Sequence, residues 1–411
     1  MSNAQSANKR SGTGSSHFLP SGKRKLESIF LFTTGNCNAN CAHCFYSNDM
    51  ATKEPDLTFD EIKKISETAG DINRLWLSGG EPTLREDLPE IIELFYKNNH
   101  TKDVNLPTNG IKGGTLIEWV KRLRTNCPTL NISVAISLDG FEATHNKQRG
   151  VPIFYNAIET LQKLENNFAN DAHVVANVAT CVTKYNYDEI VDLFSWIYGR
   201  FTVATHTTAA ARGTTRVDDV KLATEKTQSA INDAIAPFLM AYAKRMGEGV
   251  SGLARPITKF IFAGIMRAMY NAHAANLDRP QCWGVDCTAG ETTLVIDHDG
   301  RFRACEMREP IGKVQDYDCD VQRIMFGDAM KKELETIGHG YKANCWCSHS
   351  CWLMASIVFS PLKMLSAVSK GYGEVKKLSK GELRITETDL QVLEKKYKLD
   401  IAKLQEIGVV A

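Results

Sequence analysis

Residues 37–44 read Cys-Asn-Ala-Asn-Cys-Ala-His-Cys and place three cysteines within eight residues. This stretch closely follows the apolar run Ser28–Phe32, which predicts a buried strand. Three thiols on one short loop, in a chain that shows no secretory signal, indicate metal ligands before they indicate disulfides. Such a trio can hold an iron–sulfur cluster and leave one iron open. A structural zinc ion completed by His43 or by a distant residue is the alternative.

Strand-like runs and helical patterns alternate along the chain outward from this loop. A capping box at Thr58 and Glu61 begins the first helix. Six strands alternating with about five helices predict an α/β fold with a parallel sheet, either a partial barrel or a doubly wound sheet. The later predicted strands are Arg74–Leu77, Asp103–Leu106, Ile132–Ser137, His173–Thr180 and Phe201–Thr205. The later predicted helices lie near Leu88–Tyr96, Leu116–Arg124, Phe154–Asn166 and Tyr187–Tyr198.

Polar and glycine-rich motifs follow the first four predicted strands. The cysteine loop follows the first, and Ser78–Pro82, Pro107–Gly110 and Ser137–Gly140 follow the next three. Because ligands bind at the carboxyl ends of parallel strands in both candidate folds, these motifs predict one convergent site. In Gly79-Gly80-Glu81-Pro82, two glycines let the backbone approach a ligand closely. The carbonyl or amide edges of this motif, with Glu81 nearby, suit a ligand that carries an amino group.

The cysteine loop and the Gly79–Pro82 motif together resemble the radical S-adenosylmethionine (SAM) enzymes. Their signature Cys-x3-Cys-x-aromatic-Cys matches Cys37, Cys41 and Cys44, with His43 in the aromatic slot. The resemblance implies a partial (β/α)6 TIM-like barrel and a [4Fe–4S] cluster on the three cysteines, with SAM chelating the fourth iron. It also implies that one electron cleaves SAM to methionine and a 5′-deoxyadenosyl radical, which abstracts hydrogen from a C–H bond.

The same resemblance implies which other residues contact SAM. The amino group would lie against Gly79–Pro82, the ribose near Ser137, and the carboxylate beside Arg149, whose planar guanidinium suits it. Asn109 is similar to a ribose-side or substrate-side position of the family. The alternatives are that Arg149 pairs with a surface carboxylate and that Asp139 only caps its turn.

A second cysteine-rich region lies between residues 282 and 351. Cys287 and Cys305 flank a strong hairpin signal, in which Thr292–Ile296 and Arg301–Ala304 enclose Asp297–Gly300. A hairpin that brings two cysteines together, followed by a short helix that delivers more, can build a cluster site. Structural zinc is again the alternative.

This region resembles the SPASM extension of radical SAM enzymes, or its shortened form, Twitch. The Cys-x12-Gly-x4-Cys part fits at Cys287–Cys305, but only Cys-x-Cys-x3-Cys follows it. The resemblance therefore implies a small cysteine-rich α+β domain with one auxiliary [4Fe–4S] cluster rather than two. The implied ligands are Cys287, Cys305, Cys347 and Cys351, with Cys345 or Cys282 as substitutes and Cys319 as a bystander.

These patterns predict a chain of five parts. They are a disordered tail (1–26), a radical SAM partial barrel (27–215), a helical connector (216–280), a SPASM/Twitch-like auxiliary cluster domain (281–355) and a C-terminal helical tail (356–411). Pro237 is expected to break or kink the connector. The apolar segments Ile257–Met266 and Trp352–Phe359 indicate either core packing or contact with a hydrophobic substrate. The candidates for substrate contact after the sixth strand are His206, Thr207 and Arg212.

Composition limits the classes of function. The 49 basic and 48 acidic residues give a net charge of +1, which argues against a nucleic-acid partner. No apolar run is long enough for a membrane span, and 12 cysteines without a secretory signal indicate a reducing cytoplasm. The leading hypothesis is a radical SAM oxidoreductase that acts on a small molecule, a sugar, a lipid-linked intermediate or a peptide, with ferredoxin or flavodoxin as reducing partner. The alternatives are a non-catalytic iron–sulfur protein for electron transfer or redox sensing, and a zinc-stabilised scaffold.

Overall fold

The structure, a computed structural model, describes residues 25–221, 225–248, 252, 254–278, 287–338, 345, 349–358, 361–381 and 383–410. Most of the predicted tail, residues 1–24, lies outside the described residues. The strands are β1 (Ser28–Phe32), β2 (Arg74–Ser78), β3 (Asp103–Thr108), β4 (Asn131–Ser137), β5 (Val174–Val182), β6 (Thr205–Ala210), β7 (Thr293–Ile296), β8 (Arg301–Arg303) and β9 (Gly312–Lys313). They form one sheet, in the order β6-β5-β4-β3-β2-β1-β7-β8-β9.

Helices follow the strands of the first half and make up most of the second. In the first half they are α1 (Ser47–Ala51), α2 (Phe59–Ala69), α3 (Leu88–Asn99), α4 (Gly113–Asn126), α5 (Glu142–Arg149), α6 (Phe154–Phe168) and α7 (Ile190–Arg200). In the second half they are α8 (Glu225–Glu248), α9 (Ala254–Asp278), α10 (Val321–Phe326), α11 (Asp328–Ile337), α12 (Ser350–Val358), α13 (Pro361–Leu378), α14 (Glu387–Lys396) and α15 (Ile401–Ile407).

The first six strands are parallel, and each is hydrogen-bonded to the next in chain order. At least one helix separates each strand from the next, which is the βαβ connection that a parallel sheet requires. The capping box predicted at Thr58 and Glu61 begins α2. The predicted α/β class with a parallel (β/α)6 core is therefore confirmed.

The sixth strand lies further along the chain than predicted. The predicted strand Phe201–Thr205 is wrong in all but its last residue, since β6 begins at Thr205. The apolar side chain of Phe201 instead packs in the core at the end of α7, while β6 consists of small and polar residues. His206 and Thr207 consequently lie inside the strand rather than after it. His206 is buried and stacks on Phe194 of α7, with 3.7 Å between ring centroids.

The predicted hairpin is present, and it belongs to the same sheet as the barrel strands. β7 and β8 pair antiparallel, and β9 continues the sheet beyond β8. β7 also pairs in parallel with β1, from Ser28 opposite Thr293 to Leu31 opposite Ile296. The Ser28 and Thr293 hydroxyls share a hydrogen bond of 2.7 Å. The barrel and the cysteine-bearing hairpin therefore form one continuous sheet.

Helices α8, α9 and α13 pack against one another after the sixth strand. α8 continues through Pro237, so the helix does not break at this residue, and the kink expected as the alternative stays a prediction. A methyl group on Gly264 of α9 would collide with the Val368 backbone, which shows how closely α9 approaches α13. In the apolar stretch of α9, Met266 is buried whereas Ile257 is exposed. In the described part of the chain, no helix is both long enough and apolar enough to cross a bilayer.

The apolar segment that begins at Trp352 packs in the core. Trp352, Leu353 and Ile357 of α12 are buried. The ring of Trp352 lies 5.8 Å from that of Phe30 in β1. These three side chains therefore belong to the core rather than to a surface for a hydrophobic substrate, and Phe359 lies outside the described residues.

The C-terminal helices pack on the outer side of the barrel. The indole of Trp196 in α7 donates a hydrogen bond of 2.9 Å to Glu394 of α14. Arg200 pairs with the same carboxylate at 2.7 Å. After α14, the ring of Tyr397 stacks on Phe141, the residue before α5, at 3.8 Å. The domain boundaries proposed above stay predictions.

Candidate active site

The three N-terminal cysteines lie on the loop between β1 and α1, at the carboxyl end of β1. Cys37, Cys41 and Cys44 are half-buried and form no disulfide. Desolvation raises the pKa of Cys37 to about 11 and also raises the pKa of Cys44. Partly buried thiols of this kind are poor nucleophiles at neutral pH, and a bound metal removes their protons. The loop therefore suits metal ligation better than thiol chemistry.

The Gly79–Pro82 motif packs directly against the cysteine loop. The Gly80 amide donates to the Thr34 carbonyl at 2.7 Å, and the Glu81 amide donates to the Asn36 carbonyl at 2.8 Å. A methyl group on Gly80 would collide with the Asn36 carbonyl oxygen, so this position requires glycine. The loop thus occupies two of the amides that the sequence offered to a ligand. The carbonyl edge of the motif remains for that role.

The Glu81 carboxylate ties the ends of two strands together. It is 2% exposed, and it accepts hydrogen bonds from the Thr83 and Thr108 hydroxyls, both at 2.7 Å. It also accepts from the Asn109 amide at 2.8 Å. Desolvation raises the pKa of Glu81, and the hydrogen bonds oppose that rise. Glu81 therefore fixes the loops after β2 and β3 relative to each other.

Asn109 joins the loop after β3 to the cysteine loop. Its Nδ2 donates to Oδ1 of Asn38 at 2.7 Å, and its Oδ1 accepts from the Ile111 amide at 3.0 Å. Both polar atoms of its side chain are thus engaged within the protein. The ribose-side or substrate-side contact implied for Asn109 stays a prediction.

Two further segments hold the cysteine loop. The Asn40 amide donates to the Arg149 carbonyl at 2.9 Å and the Ala42 amide to that of Gln148 at 2.8 Å, both at the end of α5. From the segment after β6, the Val217 amide donates to the Ala42 carbonyl at 3.0 Å. Segments from separate parts of the barrel therefore hold the loop through its backbone.

A charged network that the sequence analysis missed lies beside the loop. Asp139 is fully buried and pairs with Nε of Arg149 at 2.7 Å. Its Oδ2 lies 4.0 Å from Nε2 of His43, and Nη1 of Arg149 lies 3.7 Å from Sγ of Cys41. Although desolvation opposes it, the Arg149 guanidinium holds the pKa of Asp139 below its usual range. Desolvation lowers the pKa of His43 to about 4, so this imidazole is neutral.

This network corrects two of the alternatives raised from the sequence. The carboxylate that pairs with Arg149 is buried rather than on the surface. Asp139 does more than cap a turn, since its Oδ1 also accepts from the Cys181 amide of β5 at 2.8 Å. The only signal in the sequence was an acid shortly before the short helix α5 and a base at its last residue. Whether Arg149 and Ser137 also contact SAM stays a prediction.

The donor set of the loop fits an iron–sulfur cluster. Arg149 and Arg216 lie near enough to lower the pKa of Cys44 against the effect of desolvation, so positive charge faces the thiolates. Among the described residues, no three Cys, His, Asp or Glu side chains converge on a point where they could share one metal ion. A cubane needs no such point, because each thiolate binds a different iron. His43, the fourth ligand in the zinc alternative, lies against Asp139.

The second cysteine-rich region is described in part. Cys287 precedes β7 and is half-buried, while Cys305 follows β8 and is buried. Cys345 interacts with the Arg308 guanidinium, and the Arg308 amide donates to the Cys305 carbonyl at 2.9 Å. Arg308 thus contacts both Cys345 and Cys305. Of the other proposed ligands and substitutes, Cys351 lies in the first turn of α12, and Cys282 and Cys347 lie outside the described residues.

A buried ionic cluster joins this region to the barrel. Glu306, which follows Cys305, accepts from Nη2 of Arg212 at 2.8 Å and contacts Nε2 of His349. Desolvation alone would raise the pKa of Glu306, but His349 and Arg212 lower it to about 2. The sequence analysis named Arg212 as a candidate for substrate contact and missed both partners. Nothing in the local sequence shows that these three side chains meet.

His273 of α9 borders this ionic cluster. It is 1% exposed, and neither ring nitrogen has a hydrogen-bond partner among the described residues. Desolvation, together with the nearby Arg212 and His349, lowers its pKa to about 4. A buried imidazole of this kind marks a position that a ligand can satisfy.

The family comparison agrees with the fold and with the cysteine loop. Residues 31–197 match the model of the radical SAM superfamily. The match assigns a radical SAM domain to residues 31–197 of the chain. The cofactors of this superfamily are a [4Fe–4S] cluster and SAM.

The curated relatives match this chain over part of their length. The GTP 3′,8-cyclase of Clostridium perfringens is 28% identical over 179 residues, which are 43% of this chain and 53% of that enzyme. The Fe-coproporphyrin III synthase of Methanosarcina barkeri is 29% identical over 189 residues, which are 44% of this chain and 43% of that enzyme. The chain thus spans about a third to a half of the length of the curated relatives it matches.

Solved structures show the same fold at low identity. Streptococcus suis SuiB bound to its precursor peptide SuiA has a TM-score of 0.53 and 12% identity, over 76% of this chain and 68% of SuiB. SuiB bound to S-adenosylmethionine has a TM-score of 0.50 and 14% identity, over 74% of this chain and 66% of SuiB. At these identities the likeness is one of fold.

Proposed function

We propose that the protein is a radical SAM oxidoreductase that acts on a C–H bond of a polar substrate. The observation that carries this proposal is the cysteine loop, whose backbone is held by segments after β2, at the end of α5 and after β6. When bound on Cys37, Cys41 and Cys44, the cluster with SAM supplies a 5′-deoxyadenosyl radical that abstracts hydrogen. The remaining chemistry of the site is binding, orientation and exclusion of water by the chain.

The residues around the loop support the proposed SAM contacts. The carbonyl edge of Gly79–Pro82 is assigned to the SAM amino group, because the loop occupies the Gly80 and Glu81 amides. Ser137, the last residue of β4, is half-buried at the carboxyl end of the sheet and is assigned to the ribose. Arg149 extends to the cysteine loop and is assigned to the carboxylate, with Asp139 fixing its orientation.

One auxiliary [4Fe–4S] cluster is proposed for the second cysteine-rich region. Cys287 and Cys305 would supply two ligands from the hairpin, and Cys347 and Cys351 the others. The contacts of Arg308 with both Cys345 and Cys305 favour Cys345 as the first substitute. The Glu306 ion pairs would hold the module that carries this cluster against the barrel.

The buried polar groups near the end of β6 favour a polar substrate. Arg212 and His273 bring a cation and a neutral imidazole close together. The burial of Trp352 removes one of the two reasons for considering a lipid-linked substrate. A small molecule, a sugar or a peptide therefore fits better. We place the reaction in the cytoplasm, with ferredoxin or flavodoxin as electron donor.

The test is anaerobic reconstitution followed by incubation with SAM and dithionite. The expected result is a brown protein that forms methionine and 5′-deoxyadenosine. Cys41→Ala should abolish both products, and Cys127→Ala, at a buried cysteine after α4, should leave them unchanged. An iron-loaded protein that forms neither product would support the electron-transfer or sensing alternative. A colourless zinc protein would support the scaffold.

A further inference from the structure

The turn of the β7–β8 hairpin reaches one end of the cysteine loop. The turn carries His298, which is 1% exposed and whose Nδ1 lies 2.7 Å from the Tyr46 hydroxyl oxygen. The His298 amide also approaches this oxygen, at 3.4 Å. Since that amide can only donate, the hydroxyl hydrogen is available to Nδ1. Tyr46 closely follows Cys44, so the hydrogen bond holds the C-terminal end of the loop.

The opposite edge of the same imidazole packs on the N-terminal end of the loop. A methyl group on Gly35 would lie 2.7 Å from Nε2 and 2.8 Å from Cδ2 of His298, so the ring lies directly against the Gly35 backbone. The Gly35 amide is in turn held by Oδ1 of Asp56 at 2.7 Å. Gly35 closely precedes Cys37. One side chain therefore contacts both ends of the segment that carries the three thiols.

Other contacts fix the hairpin turn against the chain beyond the loop. The Leu57 amide donates to the His298 carbonyl at 2.6 Å. Oδ1 of Asp49 in α1 pairs with Arg301 at 2.9 Å and with Arg303 at 3.3 Å, so both arginines of β8 reach α1. The position of the imidazole is thus set by the fold of the hairpin and not by one flexible side chain.

We propose that His298 is a positioning residue for the SAM-binding cluster, supplied to the barrel by the hairpin that carries Cys305. The ring spans the base of the cysteine loop, so the hairpin and the barrel together set the spacing of the three thiols. This inference rests on the proposed function, because it concerns the cluster that would bind SAM. It adds a link between the two cysteine-rich regions, since the first loop is fully formed only when the hairpin is folded.

The first experiment measures amide hydrogen exchange in the metal-free protein. His298→Ala removes the ring and the hydrogen bond, and should raise exchange over residues 35–46 at least about fivefold, the ratio expected for one lost hydrogen bond. Exchange in β4 and β5 should stay unchanged. Tyr46→Phe removes the hydrogen bond from the other side and should raise exchange over the same residues. His100→Ala is the matched control, because His100 is exposed and its ring contacts Asp71 instead.

The second experiment uses the reconstituted protein. His298→Ala should lose iron to a chelator at least about fivefold faster than the wild type. The EPR signal of its reduced cluster should also respond to added SAM in a smaller fraction of molecules. His298→Asn offers an oxygen near the position of Nδ1 and should restore part of both properties.

Two results would overturn the proposal. One is wild-type exchange over residues 35–46 together with wild-type iron retention in His298→Ala. The other is an equal rise in exchange throughout the chain, which would make His298 a residue of general stability. The exchange measurement needs no cluster, so it still decides the role of His298 if the wild-type protein fails to cleave SAM.

Discussion

The two cysteine-rich regions of the molecule are assembled in different ways. In the first, three thiols come from one short loop, and the barrel holds that loop through its backbone. In the second, Cys287 precedes the first strand of a hairpin and Cys305 follows its second strand, and the other proposed ligands come from the chain around α12. Side-chain charges of Glu306, Arg212 and His349 join this second region to the barrel. The first region is therefore visible as a sequence motif, while the second depends on long-range contacts.

The largest expected effects come from removing one thiol from each region. Cys41→Ala should abolish SAM cleavage while the iron of the auxiliary cluster is retained. Cys305→Ala should lose the auxiliary iron and impair substrate turnover while SAM binding persists. Both variants are tested by measuring iron per chain, SAM binding and 5′-deoxyadenosine formation. If Cys41→Ala lost all of its iron, or Cys305→Ala lost SAM binding, the two regions would not be separate sites.

The packing of the first loop against Gly80 predicts a nearly complete loss of the first cluster in Gly80→Ala. The new methyl group would collide with the Asn36 carbonyl and displace the loop. Gly114→Ala in the first turn of α4 is the control, because nothing lies within 4 Å of its added methyl group. It should be neutral or stabilise the helix by up to about 1 kcal/mol. Equal iron content in the two variants after reconstitution would show that the loop tolerates displacement.

The parts of the fold that were predictable are those with local signals. The first five strands carry apolar residues at consecutive or alternate positions and precede helices, and the structure places each within two residues of its predicted bounds. β6 was misplaced because its Thr-His-Thr-Thr-Ala-Ala sequence is neither apolar nor alternating, while the neighbouring Phe201 belongs to the core. The β7–β1 pairing was not foreseen, since no local pattern identifies the distant strand that will be a neighbour.

In the candidate site, too, the features with a local sequence signal were predictable and those that depend on long-range contacts were not. The cysteine spacing and the Gly79–Pro82 motif have defined chemistry and were recognised. The pair of Asp139 with Arg149 was missed, because a charged residue in a loop gives no indication that it will be buried. His298 was taken only as part of a turn. Its role depends on a hairpin folding back onto β1, which a single sequence does not reveal.

The ionic cluster of the second region predicts a large loss of stability in Glu306→Gln. The substitution keeps the shape of the side chain but removes the buried negative charge that faces Arg212 and His349. The free energy of unfolding should fall by about 3–5 kcal/mol. Urea denaturation of the metal-free protein measures this loss. Glu118→Gln breaks an exposed pair with Lys121 and should change stability by less than about 1 kcal/mol. Similar losses of unfolding free energy in the two variants would show that Glu306, Arg212 and His349 do not form a strong junction between the second region and the barrel.

A smaller effect concerns the pH dependence of stability at the same junction. An unfolded histidine titrates near pH 6.5, whereas desolvation lowers the pKa of His273 to about 4. Between these values the unfolded chain binds a proton that the folded chain does not, so stability falls as the pH decreases. The loss is up to about 1.4 kcal/mol per pH unit for this group.

His273→Gln should therefore flatten the fall in unfolding free energy between pH 6 and pH 4.5, as measured by urea denaturation at each pH. His100→Gln, at an exposed histidine paired with Asp71, should leave the slope close to that of the wild type. An unchanged slope in His273→Gln would show that this imidazole is protonated in the folded state. The junction would then carry more positive charge than the structure indicates.

The parallel pairing of β7 with β1 also bears on how the chain can be divided for study. A fragment that ended at residue 215 would leave Ser28–Leu31 with unpaired backbone groups along one side of an apolar strand. Exposed edges of this kind recruit other chains, so such a fragment should aggregate during expression. A chimera that grafts a different auxiliary module onto this barrel must therefore bring its own strand to cover that edge.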